Sequence, residues 1–303
     1  MLMTSVDRYL LIRRSVGFQL KSVDFYLRDF ARFASVRGET HVVSKTAIDW
    51  ASKGTSEAQR HNRLSMVIRF AYFMRAEDPC HQIPPEGLFC NQRQRPTPYI
   101  FSDQEIQHLI DSAQRLGQLG TLRPYTYSTL FGLLAVTGMR VSEARSLQIN
   151  DVTTDGLVIR ESKFKKSRLI PLHATTWSAL NSYLKRRFRI FGHDPHLFVS
   201  RRGGKLSHTI VSETFRKVVK TAGIHGKPGQ RDPRLMDFRH SFAVKSLLIC
   251  TDSRDHVSRN MLALTTYMGH AKVDSTFWYL ESTPELMSDI ARKCETFISG
   301  GVS

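Results

Sequence analysis

Acidic residues are scarce in this 303-residue chain: 27 Asp and Glu stand against 44 Lys and Arg, for a formal net charge of +17 and a pI near 10.0. The excess is shared, because basic residues outnumber acidic ones by 15 to 9 over residues 1–95 and by 29 to 18 over 96–303. Both halves are therefore expected to meet a polyanion, nucleic acid first and an anionic membrane surface second. Cysteine is scarce too. Cys80, Cys90, Cys250 and Cys294 include no C-x-x-C pair, which argues against a disulfide framework and a zinc site and suits reduced thiols in a cytoplasmic protein. Long apolar runs are missing: the stretch from Met1 to Arg14 is broken by Arg8, Arg13 and Arg14, a pattern unlike a signal peptide or a membrane helix. What is present is an ordinary hydrophobic content of 41%, enough for a packed core, in a length that allows two domains.

The pattern from Asp7 to about Ala76 is helical, with Phe18, Leu20, Val23, Phe25, Tyr26, Phe30, Phe33 and Ala34 spaced among polar residues. Ser44 marks a helix start, and Ser56 to Met74 runs without Pro or Gly, placing Leu64, Val67, Ile68, Ala71 and Tyr72 on one face. Asp78 to Pro98 collects Pro79, Pro84, Pro85, Pro96, Pro98 and Gly87 and reads as an extended linker. These signals divide the chain into a helical domain at 1–80, a linker at 81–98 and a second domain at 99–303. In the second domain Ser102 and Glu105 have capping-box spacing, and an apolar helix from about Tyr125 to Val136 is stopped by Gly138. Gly156–Glu161 and Arg168–His173 are strand-like runs around a polar tip, hence a hairpin. Thr175–Phe191 and Ile210–Gly223 read as helices. The fold class is mostly α with a small β-sheet.

Four segments carry candidate chemistry. Arg140 lies in Thr137-Gly138-Met139-Arg140-Val141-Ser142-Glu143, Arg239 in Asp237-Phe238-Arg239-His240-Ser241-Phe242, and His270 and Tyr279 in the run Gly269 to Tyr279. A phosphodiester resists attack because of its negative charge and its poor alkoxide leaving group, so an enzyme working without a metal needs fixed cations and a proton donor. Two guanidiniums can hold phosphate oxygens bidentately at any working pH. Taken alone, Arg140 and Glu143 at three-residue spacing would be a surface pair worth a few tenths of a kcal/mol, and Tyr279 a core aromatic beside Phe277, Trp278 and Leu280.

Together these segments resemble the tyrosine recombinase (phage integrase) family over about Phe101 to Tyr279. The resemblance implies an N-terminal helical DNA-binding domain and an α+β catalytic domain that close on duplex DNA as a clamp. It implies that Arg140 and Arg239 clamp the scissile phosphate and that His270 donates a hydrogen bond to it. Tyr279, nine residues after His270, would be the nucleophile, forming a 3′-phosphotyrosyl link that requires neither ATP nor a metal or other cofactor. Lys163, five residues before Arg168 and eight before Pro171, stands where the family's catalytic lysine precedes its R-x-x-P strand and would act as general acid. Lys165 and Lys166 compete for that assignment, and phosphate-backbone contact is the simpler role for all three. Glu143 and His240 would be supporting residues, with His240 bracing the fold.

One position departs from the pattern. The place three residues before Arg239, usually His in the family, is Met236, whose thioether can neither relay a proton nor donate a hydrogen bond. Either Met236 is tolerated, or the protein is slow and depends on a partner recombinase. A type IB topoisomerase-like relaxing enzyme and a catalytically silent DNA-binding partner remain alternatives. Segments near Asp78–Phe89 and Arg95–Tyr99 also resemble transposon-borne recombinases that work in sets. The tail carries a helix signal, Thr283 as cap, Pro284, then Leu286, Ile290, Cys294 and Phe297 on one stripe. In the family such a tail packs into the neighbouring protomer, so the resemblance implies a homotetramer or mixed recombinase assembly on double-stranded DNA, in the bacterial cytoplasm at the nucleoid.

Overall fold

The computed structural model describes residues 2–90, 97–117, 120–160, 167–226, 228–248 and 254–269. The chain forms two compact units, Met1–Arg95 and Pro96–Ser303. Most of the described residues are helical, and the described strands form one small sheet.

The first unit contains α1 (Leu2–Ser15), α2 (Lys21–Val36), α3 (Ser44–Ser52) and α4 (Glu57–Arg75). Ser56 caps α4 by accepting from the Gln59 N–H, as its Ser-x-x pattern suggests. The helices bury one core containing Val6, Leu10, Leu27, Phe30, Trp50, Leu64, Val67 and Phe70. Trp50 keeps its indole N–H satisfied by Asp29 at 2.9 Å. The apolar face of α4 differs from the expected one at two positions: Phe70 is buried, whereas Tyr72 is 54% exposed. Phe18 and Phe25, also expected in the helical core pattern, are exposed as well. Residues after α4 do not leave the unit at once. His81 is buried and Ile83 and Phe89 pack on the core, so the first part of the expected linker is folded onto this unit.

The second unit contains α5 (Asp103–Gln114), α6 (Arg123–Thr137), α7 (Val141–Ser146), α8 (Ala174–Phe191), α9 (His208–Thr221), α10 (Asp237–Leu248) and α11 (Arg254–Met268). The capping box at Ser102 and Glu105 is formed in both directions, at 3.1 and 2.8 Å. Strands β1 (Val152–Thr153), β2 (Gly156–Ile159) and β3 (Arg168–Ile170) make an antiparallel sheet in the order β1-β2-β3. The expected hairpin is β2–β3, with Ile159 opposite Arg168; the two-residue β1 is too short to show a period of two. Phe238 of α10 lies against Phe101, Phe131 and Phe215, with ring centroids 5.0 to 6.0 Å apart, which seats α10 on α6 and α9.

Gly138 ends α6 with φ of 58°. A Cβ there would run into the Phe242 ring of α10, so glycine is required both by the left-handed turn and by the close approach. The same turn starts α7 and presents Arg140.

Candidate active site

Arg140 stands immediately before α7, and Glu143 in the first turn of that helix folds back on it. The Glu143 carboxylate accepts from the Arg140 backbone N–H at 2.9 Å and from its Nη1 at 2.7 Å. It also accepts from both terminal nitrogens of Arg168 on β3, at 3.2 and 2.7 Å. The Glu143 side chain is only 7% exposed. This is not the surface pair that three-residue spacing alone suggests, but a buried carboxylate between two guanidiniums. Burial by itself would raise the Glu143 pKa; hydrogen bonds from Arg168 and Arg140 outweigh it and hold the carboxyl below the ordinary range.

Arg239 comes from α10, about a hundred residues on. Its Nη1 donates to the Gly138 carbonyl at 2.8 Å and its Nη2 to the Met268 carbonyl at 2.6 Å. Arg140 Nη2 donates to the very next carbonyl, that of Gly269, at 3.0 Å. The two arginines are thus tied to the α6–α7 turn and to adjacent carbonyls at the end of α11. Their environments differ: Arg239 is buried, whereas the Arg140 side chain keeps 21% of its surface exposed. A guanidinium with fixed, mostly desolvated surroundings is already oriented to hold an anion and loses little entropy in doing so.

The base of α10 is itself braced. Arg231 pairs bidentately with Asp237, both bonds at 2.7 Å, and the Arg234 N–H donates to the same carboxylate at 2.6 Å. Asp237 is fully buried, so these bonds fix where Arg239 emerges two residues later. Burial, chiefly, pushes the His240 pKa down to about 4, which favours the neutral imidazole at pH 7. Met236 is 47% exposed, and no core role follows from its apolar neighbour Leu235.

Tyr267 stacks on Phe242 at 5.5 Å, and burial pushes its phenol up to about 12 despite the fields of Arg168 and Arg239. A phenol so placed is a poorer nucleophile than an ordinary tyrosine. Lys163, His270 and Tyr279 lie outside the described residues, as does the helix signal after Thr283; Gly269, whose carbonyl holds Arg140, immediately precedes His270. The structure therefore brings together Arg140, Glu143, Arg239 and the carbonyl adjoining His270. Arg168 was missed as a member of this group. Its signal was its place in β3: Leu169 is exposed and Ile170 buried, so alternation turns Arg168 to the inner face, where a charge must find a partner.

The chain matches the phage integrase family over residues 100–285. It is 38% identical over 301 residues to the Sinorhizobium fredii protein y4rB, for which an integrase/recombinase role is proposed, covering 96% of each chain. It is 27% identical over 293 residues to the tyrosine recombinase XerD of Rhizobium meliloti, covering 92% of this chain and 90% of the other. Among solved structures, the XerH site-specific recombinase bound to a palindromic difH substrate in its post-cleavage complex superposes with a TM-score of 0.66 at 18% identity, covering 97% of this chain and 85% of that one. A helical catalytic unit with a three-stranded sheet, an arginine pair joined through the turn after Gly138, and similarity along nearly the whole chain lead to one assignment: the chain belongs to the phage integrase family of tyrosine-type site-specific recombinases.

Proposed function

We propose that this recombinase cuts DNA with Tyr279 as nucleophile and Arg140, Arg239 and His270 around the scissile phosphate. The observation that carries the reading is the joint anchoring of Arg140 and Arg239 on the Gly138, Met268 and Gly269 carbonyls, which supports a pair of cations fixed at one place before substrate arrives. The Tyr279 oxygen forms a bond to phosphorus as its own proton passes to solvent water, since the Met236 thioether cannot accept it. The bond from phosphorus to the 5′ oxygen breaks, and that oxygen takes a proton from Lys163, leaving a 3′-phosphotyrosyl link and a 5′ hydroxyl. One phosphodiester has become another, so no ATP is consumed. Attack by a 5′ hydroxyl from a second duplex reverses the step and joins the strands. The guanidiniums supply the positive charge that stabilises the phosphorane-like transition state. His270 adds a hydrogen bond, and Met236 cannot substitute for the imidazole usually found at its position.

Double-stranded DNA is the partner in this reading, and strand exchange between two duplexes calls for four active sites, supplied by a homotetramer or by a mixed assembly with a sister recombinase. The net charge of +17 supports DNA engagement by both units. Among the described residues no helix is long and apolar enough to cross a membrane, which is compatible with work at the nucleoid in the cytoplasm. A duplex carrying the cognate site and a nick just beyond the cut releases a short fragment on cleavage and traps the enzyme. Covalent adduct in the presence of a chelator is expected. Binding without adduct would make the protein a silent partner, and relaxation of plasmids lacking paired sites would make it topoisomerase-like.

A further inference from the structure

Away from the recombinase site, the first unit gathers three groups of metal-ligand chemistry. His41, in the loop between α2 and α3, meets Asp78 and Cys80 in the turn after α4, with one ligand atom of each lying within 4.8 Å of the others. The two loops are fastened by other bonds. The Gln82 N–H donates to the Val42 carbonyl at 2.8 Å, the Val42 N–H to His81 Nδ1 at 3.1 Å, and the Ser44 N–H to the Gln82 side chain at 2.9 Å. His81 is buried, with its ring 5.0 Å from that of His41. The framework thus holds the three groups together independently of any ion, which is the preorganisation a binding site needs.

The orientations of His41 and Asp78 fit coordination. His41 Nε2 lies 3.0 Å from Asp78 Oδ2, while its Nδ1 lies 2.9 Å from the Thr40 hydroxyl. Ligating histidines hold the proton of their other nitrogen on a nearby acceptor. The Thr40 hydroxyl can do this, and it can equally donate to Nδ1 when Nε2–H is bonded to Asp78. Asp78 Oδ1 accepts from the Cys80 N–H at 2.9 Å, which fixes the carboxylate and leaves Oδ2 on the His41 side. The His41 and Asp78 side chains are 39% and 41% exposed and Cys80 is exposed, so an ion has a path in.

We propose that His41, Asp78 and Cys80 form a Zn²⁺ site, with water in the fourth position, that clips the α2–α3 loop to the exit of α4. A nitrogen, an oxygen and a thiolate sulfur suit zinc and disfavour magnesium or calcium, which take oxygen ligands. Zinc–ligand distances of about 2.0–2.3 Å put tetrahedral donors roughly 3.5 Å apart, so His41 Nε2 and Asp78 Oδ2, now 3.0 Å apart, part slightly while the Cys80 sulfur moves in by about 1 Å, changes that rotamers of exposed side chains accommodate. Binding displaces the thiol proton to solvent. The site involves no residue of the recombination chemistry and stands or falls independently of it.

The test uses the full chain, reduced, stripped with chelator and free of any affinity tag, titrated with Co²⁺ as a spectroscopic probe and with Zn²⁺ in competition. One equivalent of Co²⁺ is expected, with a thiolate-to-cobalt charge-transfer band. Cys80→Ser removes the band, His41→Gln weakens binding at least tenfold, and Thr40→Val weakens it by about tenfold through loss of the outer hydrogen bond. Cys90→Ser changes none of these. Circular dichroism verifies that each variant is folded, as expected for exposed positions. Absence of binding overturns the proposal, and so does a charge-transfer band that survives Cys80→Ser, because the thiolate would then lie elsewhere.

Discussion

Glu143→Gln removes one charge from the point where two arginines meet. The carboxylate accepts four hydrogen bonds, two from Arg140 and two from Arg168, at 2.7 to 3.2 Å. Glutamine keeps the volume but offers one acceptor oxygen and turns an NH₂ toward the guanidiniums. Removing one partner of a buried pair costs about 3–5 kcal/mol. Since the Arg140 side chain retains 21% exposure and Arg168 13%, solvent compensates in part, and a loss of about 3 kcal/mol at pH 7 is expected. The sign of the pH dependence follows from the depressed pKa of Glu143. Its stabilisation is present above the unfolded value, for which 4.5 is the ordinary figure, and is lost as pH falls through the lower folded value. Urea unfolding should therefore show a gap between wild type and variant that is full at pH 7 and narrows below about pH 4.5. The rate of adduct formation should fall by about a hundredfold, the effect of misplacing a catalytic group by roughly 1 Å. Stability within about 0.5 kcal/mol of wild type at pH 7, together with an unchanged cleavage rate, would show that Glu143 neither supports the fold nor orients Arg140.

His240, neutral in the folded state with its pKa near 4 against an ordinary 6.5, takes up a proton more readily when the chain unfolds. Stability should therefore decline as pH falls from about 6.5 to 4, by on the order of 3 kcal/mol; His240→Gln should remove that component, and parallel urea-midpoint profiles in the two proteins would refute it. Met236→His should leave stability within about 0.5 kcal/mol, because the side chain is 47% exposed, and should speed cleavage or leave it unchanged. A large loss of stability in that variant would show that Met236 packs more tightly than its exposure indicates.

Much of this was legible in the chain. The Ser102 capping box, the Gly138 stop and the β2–β3 hairpin depend on local rules, and each formed where its residues signalled. Helix faces were less legible: Phe70 and Tyr72 lie two apart on α4, and which of them is buried depends on Tyr9 of α1, whose ring meets that of Phe70 at 5.6 Å. Burial of Glu143 was invisible for the same reason, since Arg168 is 25 residues away and reaches it only through the sheet. The Pro-containing segment after α4 suggested an extended linker because proline opposes helix and sheet alike, but irregular backbone can still pack, and His81 and Phe89 do. Cysteine spacing likewise carries no sign of His41 with Asp78 and Cys80, whose association depends on loops 37 residues apart.

In the proposed reaction, cleavage passes through one tyrosine held to a phosphate by Arg140 and Arg239. The most direct measurement is to trap wild-type protein on a nicked substrate, digest the adduct, and locate the nucleotide-bearing peptide by mass spectrometry, with Tyr279→Phe in parallel. The 3′-phosphate is expected on Tyr279, and Tyr279→Phe is expected to give no adduct while still binding the site. A nucleotide on Tyr267 or any other residue, or an adduct that persists in Tyr279→Phe, would contradict it.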